Sequence, residues 1–438
     1  MADAPSRPPS ISMQRLQRAD KWLGWLVCLC LQPLRWLRGS PSPSGPRDAD
    51  LERVLMIKFW GIGSLVLLTP AVRALRKRHP RARLTLLTLR ENEALARGLE
   101  VFDEVLVLDV RARPGPVGWT RVLARIVQLL FVLRRARFQA VYDFEFFTRF
   151  SAFVSFATGA KTSTGFDEPS VWRGQLHPVR VPFNRYWHVS RNFRALAGGE
   201  NGEDIRPADI GAFRVADRDL ASLRAKLLAR GVRIDRPYVV LNPNAGQLSL
   251  ERRWPRESFA ALARALVEQD ETLVFLIGSP AEREYVAPIA AWTADLGSLC
   301  VDLSGELSLG ELAALLERAG TVVSNDSGPM HIAASLRAPV VGLFGPETPV
   351  LYAPIGVRAR HLWRPPVCSP CINVHENKVA NCVRGRPECL TNLSVDDVLE
   401  EARLALWDGV LRPAPRAIPL HPAAAAENLP ARAGEVRT

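Results

Sequence analysis

The sequence has no apolar run long enough to cross a bilayer. Its wholly apolar block, Trp22 to Leu31 within MQRLQRADKWLGWLVCLCLQPLRWLRG, stops at Gln32 and Pro33, short of the ~20 residues that a spanning helix needs. No small-residue cleavage site follows that block, which argues against a secretory signal. Zinc-finger spacings, RNA-binding aromatic patterns, heptads and solenoid repeats are also missing, so nucleic acid is not an expected partner. Acidic residues are outnumbered: 57 Lys and Arg against 45 Asp and Glu leave a formal net charge of +12. The basic residues are scattered rather than gathered in one tract, which favours acidic partners such as anionic lipid or phosphorylated substrates.

What is present begins with that amino-terminal block. Trp22, Trp25 and Trp36, rimmed by Arg15, Arg18, Lys21, Arg35 and Arg38, suit a helix lying in the headgroup layer of an anionic membrane. The other reading is a helix docked on the protein's own surface. Residues 1–39 are thus expected to form an amphipathic membrane-interface segment, 40–50 a Pro/Ser-rich linker, and 412–438 a disordered Pro/Ala-rich tail.

From Leu51, short apolar runs alternate with helical stretches, the pattern of βα units and parallel sheets. Arg53–Ile57, Arg83–Leu87, Glu104–Leu108 and Gln139–Tyr142 read as strands. The apolar and basic TRVLARIVQLLFVLRRARF between the last two suits a helix that covers a sheet or touches a membrane. A second series, PYVVLNP, ETLVFLIG, SLCVDLSG, AGTVVSND and APVVGLFGP, repeats the logic. An α/β fold of two Rossmann-like, doubly wound parallel-sheet domains follows, 51–205 and 206–411, facing a cleft. Ligands bind such sheets at the carboxyl ends of their strands.

The most specific stretch is Val322 to Pro349, where a strand ends in Asn325, Asp326, Ser327 and Gly328 and a helix carries His331 in its first turn. Hydroxyl, backbone N–H groups and a helix dipole converge there, which suits a diphosphate. Ordinary N-capping by Asp326 or Ser327 fits the same spacing. A similar strand, glycine turn and basic helix opens the first series at KFWGIGSLVLLTPAVRALRKRHP.

SNDSGPMHIAASLRAPVVGLFGPETP resembles the carboxyl-terminal signature of glycosyltransferase family 9, the lipopolysaccharide heptosyltransferases. IKFWGIGSLVLLTPAVRALRKRHPRARLTLLT and NPNAGQLSLERRWPRESFAALARAL are similar to that family's first strand–turn–helix and to the opening of its second domain. The resemblance spans about Val54 to Leu404. It implies a GT-B fold with donor nucleotide on the second domain and acceptor on the first. It also implies an inverting, metal-independent transfer from a nucleotide-activated sugar, with no cofactor, to a lipopolysaccharide or other lipid-linked acceptor. Carried over residue by residue, it puts Asp326, Ser327, Gly328 and His331 at the donor diphosphate and sugar. Arg252 stands where the family has a phosphate-binding lysine, Asn244 and Gly246 lie at the phosphates, and Glu282 (or Glu284) meets the nucleoside.

One position departs from the family. Ser64 stands where a carboxylate acts as base, and a serine alone takes no proton at neutral pH. Asp143 and Glu145, in VYDFEFF, are the candidate replacements, and His188 with Arg191 on RYWHVSRN is a further candidate. Without a base the chain is a nucleotide-sugar or glycan-binding protein. With one, it is a glycosyltransferase on the inner face of the cytoplasmic membrane. Cys368, Cys371, Cys382 and Cys389 cluster with one CxxC but no second close pair, so zinc is a secondary reading beside a structural role.

Overall fold

The computed structural model describes residues 20–37, 51–111, 115–199, 204–246, 249–372 and 382–411. The linker and the tail lie outside the described residues, as do residues 1–19. Two six-stranded, all-parallel sheets organise the chain. The first contains β1 (Arg53–Ile57), β2 (Arg83–Leu89), β3 (Glu104–Leu108), β4 (Ala140–Asp143), β5 (Thr162–Asp167) and β6 (Val179–Pro182) in the order β3-β2-β1-β4-β5-β6. The second contains β7 (Tyr238–Asn242), β8 (Leu273–Leu276), β9 (Cys300–Asp302), β10 (Thr321–Asn325), β11 (Val340–Phe344) and β12 (Ala359–Trp363) in the order β12-β11-β10-β7-β8-β9. Counted from its own first strand, each sheet has the same doubly wound order. Central strands such as β7 and β10 are buried throughout, as expected for short apolar runs covered on both faces by helices.

The helices used below are α1 (Trp25–Cys30), α2 (Gln32–Leu37), α3 (Ile62–Arg78), α4 (Pro116–Ala136), α5 (Phe150–Thr158), α6 (Val189–Leu196), α7 (Arg256–Asp270), α8 (Leu309–Glu317) and α9 (Gly328–Ser335). On one face of the first sheet Val54, Met56, Leu84 and Leu86 share a core with Leu65 and Leu68 of α3 and Phe193 of α6. On the other face Leu55, Ile57, Leu87 and Val141 pack with Leu129 and Leu133 of α4 and Val154 of α5. The first of these cores runs on into the second half through Met330, Ile332 and Tyr352.

The amino-terminal block docks on the first half through one side. Asp20 accepts hydrogen bonds from the backbone N–H groups of Arg149 (2.9 Å) and Phe150 (2.7 Å) at the start of α5. Gln32 accepts one from the Gln175 N–H (2.9 Å), and Cys28 is fully buried against Ala152, Phe156 and Leu176. The opposite side keeps Trp22, Leu23, Leu26, Trp36 and Leu37 exposed. Among the described residues, no helix is long and apolar enough to cross a membrane.

Candidate active site

In a doubly wound sheet the crevice opens where strand order reverses, here between β1 and β4 and between β7 and β10. The register puts Ile57 beside Asp143 and Asn242 beside Ser324, so the turns that follow leave at matching heights. Between the two halves lies a cavity of about 420 Å³. The turns after β1, β7 and β10 line it, with Gly61, Ile62, Gly63 and Ser64 as its first-half wall.

The second-half wall contains Asn244, Gly246, Arg252, Glu282, Asp326, Ser327, Gly328 and His331, the whole set expected at the donor. Ser327 precedes α9 but its side chain does not cap the helix. Its hydroxyl instead accepts a hydrogen bond from Asn242 Nδ2 (2.7 Å). Arg252 Nη1 donates both to the Asp326 carboxylate (3.0 Å) and to its carbonyl (2.8 Å), while Nη2 donates to the Ala245 carbonyl. The capping that the spacing allows is therefore replaced by side-chain pairing behind the helix end, and the start of α9 faces the cavity without a side-chain cap. Arg252 Nε is buried with no hydrogen-bond partner. Gly246 has φ +66°, and a Cβ there would meet no described atom within 4 Å, so backbone conformation rather than space calls for glycine.

The far flank is apolar, formed by Ile277, Leu307, Leu309 and Leu312, with Glu282 at its edge. Glu282 accepts from the Ser279 N–H (2.8 Å), whereas Glu284 is exposed and does not line the cavity. An apolar shelf beside an open helix end has the form of a site for an aromatic base joined to a diphosphate.

Across the cleft the start of α3 meets the start of α9, with a side chain from each lying over a glycine of the other, His331 over Gly63 and Ile62 over Gly328. A Cβ on Gly63 would lie 2.6 Å from His331 Cδ2, and one on Gly328 would lie 2.1 Å from Ile62 Cγ2. Gly61, at φ +87°, turns the chain into α3. Ser64 sits in the wall beside it, and among the described residues no carboxylate from the first half lines the cavity.

The two candidate replacement carboxylates stand behind that wall and differ sharply. Asp143 is fully buried and accepts from Ser151 Oγ (2.7 Å), His177 Nε2 (3.0 Å) and the Glu145 N–H (3.0 Å). Burial would raise its pKa, but His177, Arg173 and Ser151 outweigh burial and hold the carboxyl below the usual range. Such a group is spent on structure. Glu145 is also buried, and one oxygen, Oε1, accepts from Lys58 Nζ (2.9 Å), the Phe59 N–H (2.6 Å) and the Trp60 N–H (2.9 Å). Its second oxygen, Oε2, has no hydrogen-bond partner.

His188 is not in the cavity wall. Its Nδ1 accepts from the Ser190 N–H (3.2 Å) and its Nε2 bonds the Ala353 carbonyl of the other half (3.0 Å), which fixes a neutral ring with Nε2 protonated. Burial pushes its pKa down to about 4. Both nitrogens are taken, so it bridges the halves rather than serving as a base. Arg191 lies over the Trp187 ring at 4.1 Å and pairs with Asp204. Among the described residues no three His, Cys, Asp or Glu side chains come together as a metal site, and the cysteines are free thiols. Lys58 and Asn242 were not foreseen. A lysine at the end of the apolar run VLMI and an asparagine at the end of VVLN were the signals available.

Residues 126–381 match the family described as glycosyltransferase family 9 (heptosyltransferase). Lipopolysaccharide heptosyltransferase 2 of Escherichia coli is 25% identical over 366 residues, covering 81% of this chain and 98% of the relative. The protein of the same name from Salmonella typhimurium is 31% identical over 168 residues, 38% of this chain and 46% of that one. Of solved structures, the Escherichia coli ADP-heptose lipopolysaccharide heptosyltransferase II superposes with a TM-score of 0.62 at 23% identity, over 82% of this chain and all of that one. A family 9 glycosyl transferase from Veillonella parvula gives 0.64 at 19% identity, over 83% and 99%. These likenesses establish the GT-B architecture.

Proposed function

The chain belongs to glycosyltransferase family 9, and from that premise we propose that it moves a heptose from a nucleoside diphosphate donor to a lipopolysaccharide core or another lipid-linked glycan. The observation that carries this reading is the uncapped start of α9, held open by the Asn242–Ser327 and Arg252–Asp326 pairs and facing the glycine turn of the other half. ADP-heptose is the first donor to try, being the one named for the Escherichia coli structural relative.

In this reading an acceptor hydroxyl oxygen attacks the anomeric carbon as the bond from that carbon to the β-phosphate oxygen breaks on the opposite side. The configuration inverts and the diphosphate leaves with the electron pair. The dipole of α9 and the Arg252 guanidinium stabilise the departing charge, and no metal or cofactor is called for. The acceptor's proton goes to Glu145, whose Oε2 lacks a hydrogen-bond donor but is buried behind the cavity wall, so the glycine turn must shift for a hydroxyl to reach it.

The exposed tryptophans and leucines of the amino-terminal segment support a location on the inner face of the cytoplasmic membrane, where a lipid-linked acceptor would be met. Ser64 favours a second reading, a nucleotide-sugar or glycan-binding protein that kept its donor pocket. Incubation with ADP-heptose and extracted lipid acceptors, followed by mass detection of product, decides between them. Product from the unmodified chain supports transfer. Binding of ADP without product, with turnover gained by Ser64→Asp, supports the second reading and overturns the first.

A further inference from the structure

Helix α4 carries two apolar stripes. The inner one, Val122, Leu129 and Leu133, is buried; Leu129 and Leu133 pack against the first sheet and α5. The outer one, Trp119, Leu123, Val127 and Phe131, repeats once per turn and is between 43% and 64% exposed. A helix apolar on both sides calls for cover on both sides, and nothing in the described chain covers the second. Between the stripes and at the end of the helix lie Arg121, Arg125, Arg134 and Arg135, with no Asp or Glu from 116 to 136.

The outer stripe does not stand alone. Helix α5 lies between α4 and α1: Phe150, Phe153 and Val154 face the α4 side, while Ala152 and Phe156 pack with Cys28 and Leu31. The exposed row of α4 and the exposed Trp22, Leu23, Leu26 and Leu29 therefore flank the same helix. Both also reach the same edge of the molecule. In a parallel sheet the helix after each strand starts at the carboxyl edge, so α4 begins at the edge where the cleft opens, and Asp20 holds the amino-terminal segment to the start of α5 at that edge.

We infer that α4 is a second bilayer contact, and that α4 and the amino-terminal segment together seat the first half on an anionic membrane with the mouth of the cleft beside the lipid surface. This rests on the membrane placement proposed above and extends it to an element within the fold. The occupant is an anionic bilayer rather than a second copy of the chain, because a copy would set a helix with four arginines and no acid of its own against its like, with Asp109, 3.7 Å from Arg125, as a partial offset. Apolar side chains would enter the acyl boundary while the arginines meet lipid phosphates.

The test is co-sedimentation of the full chain with phosphatidylethanolamine/phosphatidylglycerol vesicles, alongside light scattering without lipid. Leu123→Ser with Phe131→Ser, and separately Trp22→Ser with Leu26→Ser, remove exposed side chains and leave the core intact, which unchanged unfolding midpoints verify. Each pair is expected to weaken vesicle binding by about tenfold or more, since each deletes two large apolar contacts, and the four changes together should abolish it. If the α4 pair binds like the parent while the amino-terminal pair does not, α4 plays no part and the inference falls, although the membrane placement survives. If the intact chain ignores vesicles, both fall. If the parent self-associates and the α4 pair dissociates it, a second copy covers the stripe and the inference is overturned.

Discussion

The turns after β1 and β10 each leave a central strand at a switch point, yet they handle their backbone N–H groups in opposite ways. In the first half the protein supplies its own anion: Glu145 Oε1 accepts from Phe59, Trp60 and Lys58, and fills the turn. In the second half the acid of the turn, Asp326, is drawn away by Arg252, and the helix end is left open. One architecture thus yields a filled site and a vacant one. The vacant turn is suited to a diphosphate and the filled one to an uncharged hydroxyl. The difference lies in where one carboxylate points, not in the fold.

The largest expected effect strikes the filled turn. Glu145→Gln keeps the shape but cannot take a proton, so turnover should fall about 10²- to 10⁴-fold while ADP affinity, measured by calorimetry, stays within twofold or so. Unchanged turnover would remove Glu145 as the base. Next is its partner. Lys58 is buried with its charge paired to Glu145, and Lys58→Ala leaves that carboxylate alone; breaking a buried pair costs about 3–5 kcal/mol, readable in urea unfolding. The double change Lys58→Met, Glu145→Leu should recover most of that loss, because it removes both charges. A single variant as stable as the parent would show that the turn is not held by its internal anion.

The vacant turn should respond through binding. Asp326→Ala and Arg252→Ala are each expected to weaken ADP binding by about 1.5–3 kcal/mol, the worth of a charged hydrogen bond. Unchanged affinity in both would sink the donor assignment. The last effect, absent near neutral pH, concerns the bridge between the halves. An unfolded His188 protonates near pH 6.5 and the folded one near 4, so the neutral ring's contribution is intact above about pH 6.5 and is lost as pH falls toward 4. The slope is at most about 1.4 kcal/mol per pH unit. His188→Gln should flatten the acid limb of stability against pH relative to the parent; an identical limb would show that the ring is not kept neutral.

The strands legible in the sequence were those with apolar runs. β1 and β3 lie where the pattern puts them, β2 runs two residues further, and β4 is shifted by one. β5 (TSTGFD), β6 and β12 were missed. β5 buries hydroxyls beside a single large apolar residue, Phe166, with Ser163 bonded to Ser155 and His177, while β6 and β12 are half-exposed edges. The second-half wall of the cavity was legible because its residues lie in the turns and helix starts that follow strand ends. The first-half chemistry was not, since the fate of Glu145 depends on Lys58, 87 positions earlier, and that of His188 on Ala353, 165 positions later. Such pairings arise from packing and leave no local pattern. The amino-terminal segment shows the same limit. Its sequence offered membrane or docking as alternatives, whereas the structure gives it an inner docked side and an outer apolar one.

The meeting of Gly63 and Gly328 bears on how the cleft works as a machine. Each glycine leaves a shallow notch for one side chain of the other half, His331 over Gly63 and Ile62 over Gly328. Their closest approach is then a gauge, set by the depth of those notches. Larger residues at position 328, Gly328→Ala and then Gly328→Val, would act as shims of increasing thickness that hold the jaws ajar, and the rate at which product escapes would report the gap.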